Sequence, residues 1–283
     1  MDNRIDQSFL QLRKQGSSGF MAYITGGDPT LACTVDIALA LSAAGVDFIE
    51  IGIPFSDPLA DGIANQLGAQ RALSAGATVP KLLKTVAEIR QKLELPIILY
   101  SYLNPLFQYG FERFEHDAAV AGADGLLLLD LPPEETLVSN NQKKLLHRIR
   151  LVAPTTPEER VKQIVSKASG FVYYVSREGV TGEQQEISKT IGEHVAMIRR
   201  ATDLPVAVGF GISNAEQARQ VAFQADAVVV GSAIVRRIGE FSRDRQLPDR
   251  IQEFVRPLVE AVKSTPRTGS GTEGREDETL NRR

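Results

Sequence analysis

Glu50, Asp57 and Asp61 stand close together, and the first of them interrupts an apolar run. Residues 48–53 read Phe-Ile-Glu-Ile-Gly-Ile, the pattern of a short strand. Side chains alternate along a strand, so Ile49, Ile51 and Ile53 share one face while Phe48, Glu50 and Gly52 share the other. Residues 54–62, rich in Pro, Ser and Asp, follow as a loop of acceptor side chains. A carboxyl group among Ile and Phe is costly to bury charged, and desolvation moves its pKa upward. That is the direction a general acid–base catalyst needs at neutral pH. From this run alone, Glu50 on the wet face of an edge strand is an equal alternative. Asp57 and Asp61, on the loop, are expected to stay ionised. Asp130, which ends another apolar run, is a further strand-end carboxylate whose plainer role is to cap a helix or loop.

A second set of residues suits an anion. Gly179 and Gly182 follow one apolar run, Gly209 and Gly211 the next, and Gly231 with Ser232 opens a helix after a third. Glycine lets a backbone N–H approach a phosphate closely, and a helix N-terminus adds partial positive charge. The pair Gly209 and Gly211 lacks the third glycine of a dinucleotide fingerprint, because position 214 is Asn, so a nicotinamide cofactor is rejected. His116, His147 and His194 have no metal-ligand spacing and are expected at the surface, in or beside polar helices and loops. Cys33 is expected as a packing thiol. No Lys falls at a strand end, which leaves Schiff-base chemistry without a nucleophile.

The elements that must position these residues alternate regularly. A helix over 4–14 leads in, and strands are expected at 19–24, 48–53, 96–101, 124–130, 149–152, 170–175, 204–208 and 227–230. Helices follow at about 31–44 (N-capped by Asp28 before Pro29, stopped by Gly45), 78–93, 111–121, 134–146, 158–167 (behind a capping box of Thr156 and Glu159), 187–202, after Ser213 and Glu216, from Ser232, and over 249–263. Strand–helix alternation implies a parallel sheet, and eight units in about 250 residues match a single (β/α)8 TIM barrel. An open doubly wound sheet would carry a Gly-rich first turn, which residues 26–29 do not supply. In a barrel the active site lies at the C-terminal strand ends and phosphate at the loops after the last two strands. Glu50 then faces the barrel interior near its top. Residues 264–283, with Leu280 as the one large apolar side chain, are expected to form a disordered tail beyond a catalytic domain of residues 1–263.

The 283-residue chain is 43% hydrophobic, enough for a sizeable core, and its net charge of -3 leaves no electrostatic footprint for nucleic acid. One cysteine excludes an intramolecular disulfide framework and fits a reducing compartment. Apolar runs fall short of the roughly 20 residues of a membrane span, and the N-terminus lacks the apolar core of a signal peptide. A cytoplasmic protein is expected.

Over residues 18–236 the motifs resemble the tryptophan synthase alpha subunit family. They are residues 23–29, 50–62, 102–105, 130–135, 153–157, 173–176, 179–182, 209–213 and 231–232. The resemblance implies retro-aldol cleavage of indole-3-glycerol phosphate to indole and glyceraldehyde 3-phosphate, with no metal or organic cofactor in this chain. It gives Glu50 the acid–base role, Asp61 the charge at the indole nitrogen and Tyr173 a place beside them. It also implies substrate contacts at Tyr23, Tyr100, Tyr102 and Thr181, and phosphate binding at Gly182, Phe210, Gly211, Gly231 and Ser232. The implied partner is a beta subunit carrying pyridoxal phosphate, in an alpha2beta2 assembly, docked at Pro54, Asp57, Asn104 and Pro132. Three departures stand out. Ile63, Ala64 and Asn65 replace a Pro-small-aliphatic run, Tyr100 stands where an aliphatic residue usually packs on indole, and Arg177 and Glu178 precede Gly179. They bear on rate, loop dynamics and partner coupling. The competing expectations are a stand-alone lyase that releases free indole and a weakly active allosteric partner of the beta subunit.

Overall fold

The computed structural model describes residues 3–135, 145–175, 184–209 and 211–266, with backbone alone over 184–189. In chain order the elements are α1 (Arg4–Lys14), β1 (Gly19–Thr25), α2 (Leu31–Ala44), β2 (Phe48–Gly52), α3 (Ile63–Ser74), α4 (Val79–Arg90), β3 (Ile97–Ser101), α5 (Leu103–Tyr109), α6 (Phe111–Ala121) and β4 (Gly125–Leu128). Then come β5 (His147–Val152), α7 (Glu158–Val165), β6 (Val172–Val175), α8 (Gln184–Ala201), β7 (Val206–Gly209), α9 (Ala215–Ala222), β8 (Ala227–Val230), α10 (Ser232–Glu240) and α11 (Leu247–Lys263). The strands pair in sequence order, all parallel, and β8 closes on β1. The expected (β/α)8 barrel is the observed one.

Period-two alternation divides the core into two layers. Ile49, Ile51, Ile97, Leu99, Val206, Val208, Val228 and Val230 point outward and pack under the helices. Met21, Phe48, Ile98, Leu127, Ile149 and Phe171 point inward. The lead-in helix α1 closes the lower mouth by laying Phe9 against Phe48 and Phe171, with ring centroids 4.7 and 5.7 Å apart. The isoleucines flanking Glu50 therefore face the helices, and Glu50 faces the interior, as the barrel reading requires.

Several local expectations change. Two helices were not foreseen. α3 begins at Gly62 with no side-chain cap, and it leaves Ile63, Leu67 and Leu73 exposed, so it shows no clean apolar stripe. α5 has only seven residues, too few for a helical period to register. The caps shift by a residue or two. Thr30, not Asp28, caps α2 by accepting from the Cys33 N–H at 3.1 Å. α7 starts one residue late for a capping box, and Thr156 instead accepts from the Ala153 N–H. Asn214, one residue after Ser213, caps α9 through the Gln217 N–H. Gly45 ends α2 with φ 93° as expected. Of the three histidines only His116 is exposed; His147 opens β5 with Nε2 2.8 Å from Asp6, and His194 stacks on Tyr174. Cys33 packs against the outer core layer, as expected. Most of the helix expected at 134–146 and the tail beyond Pro266 lie outside the described residues, whereas Thr265 is buried and donates to the Ala261 carbonyl.

Candidate active site

β2 lifts Glu50 one inward position above Phe48, at the end of the barrel where the strands finish. The residue is 1% exposed, and both carboxyl oxygens are buried without a hydrogen-bond partner among the described residues. Burial first, and then the negative charge of Asp61, push the carboxyl pKa up to about 8. At neutral pH Glu50 thus holds its proton, the state in which it can act as an acid.

Asp61 sits where the β2–α3 loop turns into α3. The Tyr100 hydroxyl donates to its Oδ1 and the Tyr102 hydroxyl to its Oδ2, each at 3.1 Å. Tyr102 also accepts from the Ala60 N–H at 2.9 Å, which pins the loop to β3. The backbone of Asp61 is held as well, its N–H donating to the Pro58 carbonyl and its carbonyl accepting from the Gln66 amide. Tyr23 meets Tyr100 edge-on at 5.1 Å. Tyr173, on β6, completes an interior lined by phenols. Burial raises the pKa of Tyr23, Tyr100, Tyr102 and Tyr173, so all four remain neutral donors.

Two glycines make room for these rings. A Cβ on Gly52 would lie 2.3 Å from the Tyr23 hydroxyl, and one on Gly209 2.7 Å from that of Tyr173. Both are contacts no real side chain tolerates.

The opposite rim suits an anion. α10 begins at Ser232 with Gly231 as its N-cap, which makes no side-chain cap hydrogen bond to the first N–H groups. Gly211, in the loop after β7, has φ 63° and open space where a side chain would be. Thr181, Gly182 and Phe210 lie outside the described residues. The two rims are tied together by a half-buried ion pair that sequence reasoning missed. Arg71 of α3 donates through Nε and Nη2 to the two oxygens of Asp28, both at 2.7 Å, and reaches the Val235 carbonyl of α10 at 3.3 Å. An Arg and an Asp on separate elements carry no local signal; the signal available is Gly68, whose missing side chain lets α3 pack on Thr25 and Val235.

The structure brings Glu50, Asp61, Tyr23, Tyr100, Tyr102 and Tyr173 into one constellation, with Gly211, Gly231 and Ser232 on the same end of the barrel. Asp130 is exposed and accepts from the Leu103 N–H at 2.7 Å, so it caps α5. Asp57, Asn104 and Pro132 are exposed on the same rim, whereas Pro54 is buried at the base of the loop. Among the described residues no cluster of three His, Cys, Asp or Glu side chains could hold a metal ion, and no helix is long and apolar enough to cross a membrane.

The family model "Tryptophan synthase alpha chain" matches residues 9–263. The chain is 46% identical over 261 residues to the tryptophan synthase alpha chain of Geotalea daltonii, covering 92% of this chain and 98% of that one. It is 49% identical over 240 residues to the alpha chain of Opitutus terrae, covering 84% and 90%. The crystal structure of tryptophan synthase subunit alpha from Legionella pneumophila superposes with a TM-score of 0.84 at 36% identity, covering 93% of this chain and 99% of that one.

Proposed function

Because the chain belongs to the tryptophan synthase alpha chain family, we propose that it cleaves indole-3-glycerol phosphate to indole and D-glyceraldehyde 3-phosphate by a retro-aldol step. The observation that carries the mechanism is the buried, unpartnered carboxyl of Glu50 beside the negative Asp61. Cleavage requires a proton on indole C3, which puts positive charge on the ring nitrogen. Glu50, protonated at neutral pH, supplies that proton. Asp61 accepts the indole N–H and stabilises the charge as it forms. The bond from C3 to the glycerol carbon then breaks, and its electron pair returns to the indole ring. The adjacent hydroxyl becomes the aldehyde, and its proton goes to Glu50, which ends the cycle as it began. Tyr173 and Tyr23 pack the reacting ring. Gly211, Gly231 and Ser232, together with Thr181, Gly182 and Phe210, take the distal end of the substrate and its phosphate, with the α10 N-terminus facing the anion. Glu50 gives one proton to the ring and regains one from the substrate hydroxyl, so this reading calls for no cofactor in the chain.

The same reading places the chain with a tryptophan synthase beta subunit, the pyridoxal phosphate carrier, in an alpha2beta2 assembly in the cytoplasm. The rim of Asp57, Asn104 and Pro132, shaped from beneath by Pro54, is the docking surface in this scheme. The test is indole release from indole-3-glycerol phosphate by the purified chain, alone and with a beta subunit. Slow release alone and a large rise with the partner support the synthase reading. Fast release indifferent to the partner makes the chain a stand-alone lyase, and no release in either condition leaves a weakly active partner.

A further inference from the structure

We infer that Tyr100 and Asn65 are positioning residues for Asp61, setting its carboxylate in the ligand-free site so that the indole nitrogen meets an acceptor already in place. The inference rests on the retro-aldol reading for its consequence and on geometry for its substance. The two side chains come from different elements, Tyr100 from β3 and Asn65 from α3, yet both aim at one atom. The Tyr100 hydroxyl lies 3.1 Å and the Asn65 Nδ2 3.5 Å from Asp61 Oδ1.

Neither side chain reaches Asp61 by chance packing. The Tyr100 ring is fixed edge-on against Tyr23, and Gly52 opposite it in register leaves space for the Tyr23 hydroxyl. Asn65 turns its amide towards the carboxylate and leaves its own Oδ1 buried without a partner among the described residues. That arrangement costs free energy, and it is retained because only the N–H side of an amide can face a carboxylate. With Tyr102 on Oδ2, three side-chain donors fix the plane of the carboxylate. The ionisable groups that face Asp61 are Glu50 on β2, Tyr23 on β1, Tyr100 and Tyr102 from β3 and its end, and Tyr173 on β6. The phenols are kept neutral by burial, so the donors persist across the working pH range.

Positioning makes a prediction that mere packing does not. Tyr100→Phe keeps the ring and removes the donor. Its kcat should fall about tenfold with little change in KM, the size expected for losing a hydrogen bond to a charged group. In the ligand-free protein the Asp61 carboxyl should titrate at higher pH than in the wild type, because the ionised form has lost a donor. Carbon-13 NMR of aspartate-labelled protein follows it, with the Asp61→Asn spectrum identifying the signal. Asn65→Ala should lower kcat about threefold, and the double variant should lose less than the product of the two, since both act on one oxygen. Unchanged Asp61 titration, or turnover equal to or above wild type in Tyr100→Phe, overturns the inference. If the wild type releases no indole, the retro-aldol reading fails, while the titration still decides whether Tyr100 holds Asp61.

Discussion

Along four strands the barrel interior changes character within one step of two residues. At the lower level stand Met21, Phe48, Ile98 and Phe171, and one inward position higher stand Tyr23, Glu50, Tyr100 and Tyr173. The lower level is dry and closed by Phe9, and its side chains need only fill space. The upper level is as deeply buried at Glu50 and Tyr23, but it is built of groups that donate, accept or carry charge. The comparison teaches that burial in this barrel serves two ends. Below it supplies stability, and above it supplies an environment in which a carboxyl group keeps its proton at neutral pH.

The largest expected effect breaks the upper level alone. Glu50→Gln removes the proton donor and should lower kcat by about 10²–10⁴-fold while the barrel stays folded. In the wild type, kcat/KM should fall as pH rises through about 8, where the acid form of Glu50 is lost. Stability carries the same signature. The folded state keeps the Glu50 proton up to about 8, whereas the unfolded chain releases it near 4.5, the ordinary value for a glutamate. Between those values the native state binds more protons than the unfolded state, so stability falls as pH rises and is greatest at the acid end of the window. The full difference is on the order of 3–5 kcal/mol. Urea unfolding at a series of pH values should show that slope in the wild type and a flatter line in Glu50→Gln. Equal slopes would mean that Glu50 is not held neutral.

The lower level should respond in the opposite sense. Phe9→Ala empties the plug beneath Phe48 and Phe171 and should cost about 3–5 kcal/mol in unfolding free energy. Turnover below the melting transition should stay within about twofold of wild type. A loss of activity larger than the loss of folded protein would show that the two levels are not separable.

That division was partly legible in the sequence. The alternation of Ile49, Ile51 and Ile53 against Glu50 fixes the direction of the carboxylate once eight strands imply closure, and the strands themselves are strong short apolar runs. What escaped has a common physical cause: it depends on partners distant in sequence. α5 is capped by Asp130 from the end of another strand, and Asp28 abandons its expected capping role for Arg71. Tyr100 read as a misfit on an indole face, because its hydroxyl finds Asp61 only when β3 and the β2–α3 loop are brought together. The roles expected of Thr181, Gly182 and Phe210 lie outside the described residues.

A subtler substitution tests the seam between the levels. Gly52→Ala sets a methyl group 2.3 Å from where the Tyr23 hydroxyl now lies, so the ring must move. Overpacking of this kind costs about 1–3 kcal/mol. Because Tyr23 buttresses Tyr100, the displacement should reach Asp61 and lower kcat/KM about tenfold, measurable by steady-state indole release. An active Gly52→Ala enzyme would mean that the phenol layer tolerates repacking, as the lower level is expected to.

The smallest effect separates the two strand-end carboxylates. Asp130 and Glu50 are both strand-end carboxylates at the same end of the barrel, and the sequence already gives Asp130 the plainer role of a cap. Their surroundings differ. Glu50 is sealed in without a hydrogen-bond partner among the described residues, whereas Asp130 is exposed and occupied in accepting the Leu103 N–H at 2.7 Å. A carboxylate so placed has water and an amide to stabilise its charge, and nothing to make it a proton donor at neutral pH. Asp130→Ala should therefore cost only the cap, about 0.5–2 kcal/mol, and loosen the start of α5. Hydrogen exchange at Leu103 should quicken while kcat remains within about twofold of wild type. Should Asp130→Ala instead lose activity on the scale of Glu50→Gln, burial would not be what distinguishes the two groups, and the acid–base assignment would pass to the rim.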